Sequence, residues 1–224
     1  MSQPAPCVDA AVVVREMRHW VDHVVIGLNL CPFARAVQLR GQVHYAVSTA
    51  TSAELALTDL RQSAVELLAL DAPVRETTLL IFPYCMSDFL QFNAVRQRAE
   101  KLLRRLGLED SLQLASFHPD YVFADAAADA ASNYTNRAPY PVWHLLRQDS
   151  VERAVQAFGQ TAQIYQRNKR AMEQLGLEGW RQLAVRRSIP DLPPPGQLDP
   201  LRGKIGPRAP PGRSKGRQRS CGED

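Results

Sequence analysis

The chain has little of what usually names a chemistry at sight. Its 224 residues contain four cysteines, at positions 7, 31, 85 and 221, irregularly spaced and never in a CxxC pair. That spacing argues against a disulfide framework and suits reduced thiols in a cytoplasmic protein. There is no P-loop and no GxGxxG, so nucleotide binding by the familiar glycine-rich routes is not expected. No apolar run approaches the length of a membrane span, and Met1 to Cys7 holds no basic segment leading into an apolar one. Neither a spanning helix nor a secretory leader is therefore expected.

Charge is scarce in net terms, and where it is concentrated matters more than its total of +4. From Arg186 onward there are nine Lys and Arg against four Asp and Glu, whereas residues 1–185 carry 18 basic and 19 acidic groups and are close to neutral. The same C-terminal stretch holds eight of the 16 prolines and six of the 12 glycines, with almost no aliphatic periodicity. Such a segment buries too little apolar surface to offset its ordering entropy. Residues 8–183 are thus expected to form one domain and residues 184–224 a disordered basic tail. Neutralising phosphates by such a tail would release counterions, so a nucleic-acid contact is one reading; the other is a solvated extension, since the aromatics of a stacking platform are missing.

What is present is alternation. Asp9 can cap a helix reaching about residue 26, with Val13, Met17, Trp20, Val21, Val24 and Val25 as its apolar stripe and Gly27 at its end. A strand is expected at 43–48, a helix from the Ser52 cap to about 70, and a buried strand at 77–82. A helix follows from Ser87 or Asp88 to about 106, then strands at 112–117 and 142–146. Two last helices are expected, at 151–158 after a Ser150 cap and from Thr161 to about 175. Strands alternating with long helices predict an α/β or α+β layered domain of about four strands with helical, parallel crossovers. Ligands in such sheets gather beyond the carboxyl ends of the strands, which places Pro83-Tyr84-Cys85 and His118-Pro119-Asp120 at one edge.

The densest chemistry lies between Phe117 and Arg147. Two histidines, His118 and His144, share it with Asp120, Asn133, Asn136, Arg137 and Arg147 in a stretch broken by prolines. An irregular segment on a rigid scaffold can aim several polar groups at one ligand. His118, at a strand end with Asp120 two residues on, is a candidate general base or metal ligand; the alternative is a histidine that only bonds the loop backbone. His144 points to the same face of its strand as Val142 and Leu146, so it is either a site residue or a satisfied core histidine. Asn133, Asn136, Arg137 and Arg147 are candidate ligand-binding residues, because guanidinium groups hold carboxylate or phosphate bidentately and asparagines add neutral donors. For Arg137 the structural alternative is pairing with Asp120, Asp125 or Asp129. Those last two aspartates flank an Ala-rich run that could form a short lid helix, provided a cation such as Arg137 separates their charges.

Cys31, in a proline turn, is a candidate nucleophile if a histidine or a helix N-terminus lowers its pKa, and otherwise a small hydrophobe. Cys31, His118, Asp120 and His144 are the ligand types zinc accepts, but no two stand at a metal-binding spacing. His19 and His23 do stand at i,i+4, without the glutamate of a zinc-protease motif. Neither a metal nor a cofactor is named by these residues.

Taken together, Gly27-Leu28-Asn29-Leu30-Cys31-Pro32-Phe33-Ala34, Phe117-His118-Pro119, Asn136-Arg137-Ala138-Pro139-Tyr140-Pro141 and His144-Leu145-Leu146-Arg147 resemble the signature of a bacterial domain-of-unknown-function family, number fourteen-fifteen. The resemblance covers roughly residues 12 to 180 and implies one intact domain without supplying an activity. Two expectations follow. One is a small-molecule enzyme using histidine acid–base chemistry on an anionic substrate, which needs Cys31, His118, Asp120, Asn136, Arg137 and His144 to converge. The other is a non-catalytic binding or assembly protein in which those groups fix a loop and the tail contacts nucleic acid or a partner.

Overall fold

A computed structural model describes residues 8–158 and 161–188. Asp9 caps α1 (Ala10–Trp20), accepting from the Ala11 N–H at 2.9 Å. The helix loosens into a π-helical turn, Val21–Ile26, that keeps Val21 and Val24 in line with Val13, Met17 and Trp20 on the buried stripe. Gly27 is right-handed, and a Cβ there would lie 2.2 Å from the His23 carbonyl oxygen. Crowding within the turn is thus what favours glycine. The left-handed residue of this helix end is Asn29, with φ 52°.

A short α2 (Ala34–Leu39), unforeseen from the sequence, precedes β1 (Val43–Val47) and α3 (Ala53–Leu68). β2 (Thr77–Ile81), α4 (Phe89–Arg105) and β3 (Leu112–Phe117) follow, then β4 (Val142–Arg147), α5 (Gln148–Phe158) and α6 (Thr161–Gln182). Ser52 and Asp88 cap α3 and α4 by accepting from the Leu55 and Gln91 N–H groups. α5 starts earlier than expected, at Gln148, and places Ser150 inside its first turn. α6 continues past Leu175 by kinking at Gly176, whose φ is 64°.

The four strands form one sheet in the order β1-β2-β4-β3. β1 and β2 are parallel, whereas β4 lies antiparallel between β2 and β3. The parallel expectation therefore fails for β4, because a loop and not a helix joins it to β3 and the chain simply turns back. β2, central in the sheet, is buried at all five positions. α3 and α4 cover one face over Leu80, Phe82, Trp143 and Leu145. α1, the π turn and α6 cover the other over Tyr45, Leu79, Ile81, Val142 and Tyr140. The carboxyl ends of β1, β2 and β3 and the start of β4 consequently share one edge.

Beyond α6 the described chain does not leave the domain at residue 183. The His19 Nε2–H donates to the Leu183 carbonyl at 2.9 Å, Val185 packs into the α1–α6 layer, and the Ser188 amide and hydroxyl donate to the Glu16 carboxylate. Residues 189–224, the rest of the segment expected to be a tail, lie outside the described residues. No helix among the described residues is long and apolar enough to cross a membrane.

Candidate functional site

The connection from β3 to β4, residues 118–141, lies along the carboxyl edge. His118 is fully buried there, packed against Phe89 and Phe92. The Asp120 amide donates to its Nδ1 at 3.0 Å, so its Nε2 carries the proton and donates to the Met86 carbonyl at 3.0 Å. Met86 is itself in the left-handed region (φ 59°), and this bond holds the β2–α4 loop in that conformation. Burial, with the Arg187 charge adding to it, keeps the pKa of His118 below its ordinary value. His118 is therefore a neutral clip between two loops of the edge, with both ring nitrogens bonded to main chain. The Asp120 carboxylate is exposed and makes no hydrogen bond among the described residues; its charge only opposes, in part, the lowering of the His118 pKa.

Asn133, also fully buried, accepts from the Phe123 amide and donates to the carbonyls of Ala127 and Ala128. These bonds fold residues 124–130 into successive turns in place of the expected lid helix. The cation that meets Asp125 is Lys169 of α6, at 3.3 Å, and not Arg137. Asn136 links its side chain to the Ser116 carbonyl and the Thr135 hydroxyl. Arg137 donates from Nε to the Tyr121 carbonyl at 3.3 Å and from Nη2 to the Ala128 carbonyl at 2.9 Å, and its guanidinium lies 4.2 Å from the Tyr134 ring centre. Its own carbonyl accepts from the buried Trp20 indole at 2.9 Å, so α1 fixes its backbone.

Arg137 does not stand alone. It lines a cleft of about 290 Å³ together with Arg186 and Arg187, from the segment that folds back after α6. Tyr134 and Trp180, whose ring centres are 4.7 Å apart, form one wall, and Pro119 and Pro139 add flat apolar surface. None of the three guanidinium groups forms an ion pair among the described residues. The Arg187 Nε is buried and has no hydrogen-bond partner among the described residues. Glu16, which anchors Ser188, also accepts from the Tyr140 hydroxyl and so braces this segment against α1.

The remaining expected site residues are elsewhere. Arg147 closes the opposite edge of the sheet: it donates to the Leu67 carbonyl at 2.7 Å and to those of Leu70 and Arg75, capping the end of α3. His144, in mid-strand, shares a bond of 2.6 Å with the Thr77 hydroxyl, which in turn donates to the Leu145 carbonyl. Burial pushes its pKa down to about 4. Cys31 sits in the loop that Arg167 and Asn168 of α6 hold by the carbonyls of Asn29 and Leu30. Burial raises its thiol pKa, against smaller opposing effects from the Phe33 and Ala34 amides and Arg167; no histidine acts on it. His19 and His23 stack at 4.0 Å, and each bonds a carbonyl. Among the described residues no three His, Cys, Asp or Glu side chains are placed to hold a metal ion.

The structure thus gathers His118, Asn133, Asn136 and Arg137 at one edge and leaves Cys31, His144 and Arg147 outside the group. Sequence reasoning missed Tyr134, Trp180, Arg186 and Arg187. The signal was an arginine pair soon after a tryptophan, at the very point where composition was taken to mark the end of the domain.

No curated protein and no solved structure matches the chain. The sequence pattern of the family described as protein of unknown function, DUF1415, matches residues 12–182, and the chain belongs to that family.

Proposed function

We propose that the domain binds an anionic small molecule whose acidic group is held by Arg137, Arg186 and Arg187. One observation carries this reading: three guanidinium groups line one cleft and none has a carboxylate partner among the described residues. Gathering like charges is unfavourable unless an anion joins them, and guanidinium forks suit carboxylate and phosphate. The neutral His118 clip and the Asn133 and Asn136 bonds fix the loop that presents Arg137. Acid–base chemistry at His118 would need a ring nitrogen turned to the ligand, and both are bonded to main chain. Binding, not turnover, is therefore what we propose.

Thermal unfolding in sodium phosphate against sodium chloride of matched ionic strength tests this. A ligand at 100 times its Kd stabilises the folded state by about 2.7 kcal/mol. Phosphate should raise the Tm of the native chain, and Arg137→Gln and Arg187→Gln should each remove most of that rise. An equal rise in native and variant chains would overturn the proposal.

A further inference from the structure

Three arginines without a carboxylate partner among the described residues explain an anion, but they do not explain the rest of the cleft. The wall beside them is formed by rings: the Trp180 indole and the Tyr134 ring, with centres 4.7 Å apart and planes inclined at 60°, and the pyrrolidine rings of Pro119 and Pro139. A site for a bare inorganic anion would be ringed by donors. Here the charged groups and the flat apolar surfaces share one small volume of about 290 Å³, at the lower end of the range for small-molecule sites. Tyr134 ties the two parts together, since its ring contacts both the Arg137 guanidinium at 4.2 Å and the Trp180 indole. The 3₁₀ turn Ala131–Thr135 that carries Tyr134 is held by the buried Asn133.

Resting on the anion-binding reading, we infer that the ligand is an amphipathic anion: a planar ring with a phosphate or carboxylate directly attached or one bond away. The ring lies against Trp180 and the two prolines, and the acidic group meets Arg137 and Arg187, neither of which has a carboxylate partner among the described residues. The ring gains from contact with the indole face as well as from leaving water. The acid gains charge-assisted hydrogen bonds.

Calorimetric titration of the full-length chain with inorganic phosphate, phenyl phosphate and phenol, at one ionic strength, separates the contributions. Phenyl phosphate is expected to bind at least tenfold more tightly than inorganic phosphate, a difference of about 1.4 kcal/mol, and phenol to bind much more weakly than either. Trp180→Leu, which keeps an apolar side chain, should bring the two phosphates to within about threefold of one another. Affinities for the two phosphates within twofold in the native chain would overturn the ligand class while leaving anion binding intact. Phenol binding as tightly as phenyl phosphate, or no heat from either phosphate, would overturn both. The native-chain comparison decides the matter even where Trp180→Leu fails to fold.

Discussion

Arg137 and Arg147 come from the same polar stretch, and both donate to main-chain carbonyls, yet they stand at opposite edges of the sheet. The six residues of β4 separate those edges by roughly 17 Å at the usual rise per residue. Arg147 meets the carbonyl end of α3, where a helix presents unpaired acceptors and partial negative charge, so its cation completes a structural cap. Arg137 meets two turn carbonyls and then faces a cleft that already holds two more arginines. An arginine's residue type and sequence neighbourhood are silent on this difference. What separates Arg147 from Arg137, proposed as a binding residue, is the charge that surrounds each after its hydrogen bonds are made.

The strongest way to break that contrast is Arg147→Met. It keeps much of the aliphatic stem but leaves the carbonyls of Leu67, Leu70 and Arg75 without their donor, and a loss of about 4 kcal/mol is expected from urea unfolding. A loss below about 1 kcal/mol would mean that water caps α3 equally well, and Arg147 would lose its structural assignment. Next in size is His118→Ala. Removing a fully buried ring leaves a cavity and orphans the Met86 carbonyl and the Asp120 amide, so stability should fall by about 3 kcal/mol. Near-native stability of this variant would return His118 to the list of residues kept for chemistry.

The fold was largely readable in advance, and the reasons are local. The strand at 77–81 is a β-branched and aliphatic run and that at 112–117 a short, largely apolar stretch, each followed within two residues by a proline, and the caps Asp9, Ser52 and Asp88 lie where side-chain acceptors precede apolar periodicity. α2 escaped notice because it is six residues long, has no side-chain cap and buries none of its residues fully. The direction of β4 escaped because nothing in its own residues distinguishes a returning strand from a crossing one. At the candidate site, the density of polar groups marked the loop that lines the cleft with Arg137. Which of them face the cleft was not readable, because the partners of His118, Asn133 and Arg147 are carbonyls set by tertiary packing. Arg186 and Arg187 were hidden by their neighbours: they begin the basic stretch and were grouped with it, although Val185 and Ser188 on either side pack onto the domain.

pH sharpens the contrast between buried structural histidines and titrating ones. The folded-state pKa of His144 is about 4, below its ordinary 6.5. As pH falls below 6.5 the unfolded chain binds this proton first, so the contribution of the neutral ring to stability is complete above that pH, declines toward pH 4 and is exhausted below it. The shift corresponds to about 3 kcal/mol, reduced to about 2 kcal/mol for a ring that retains some solvent exposure. His144→Gln keeps a donor for Thr77 without the titration. The stability difference between native chain and variant should therefore change by about that amount from pH 7 to pH 4 in urea titrations, and a constant difference would show that His144 is protonated in both states alike.

The smallest expected effect on stability belongs to Arg137→Lys, and it completes the comparison with Arg147. An ammonium can reach one of the two turn carbonyls but not both, and it lacks the planar face that lies over Tyr134. Both carbonyls belong to a loop at the protein surface, where water can replace a lost donor, so the loss should be about 1 kcal/mol. Phosphate binding should weaken by more than that, because a point charge cannot present two parallel donors to one acidic group. Urea unfolding with and without phosphate reads both quantities on one sample. If Arg137→Lys costs as much stability as Arg147→Met, then Arg137 anchors its loop just as Arg147 anchors α3. The proposed anion would then have to be held by Arg186 and Arg187 alone.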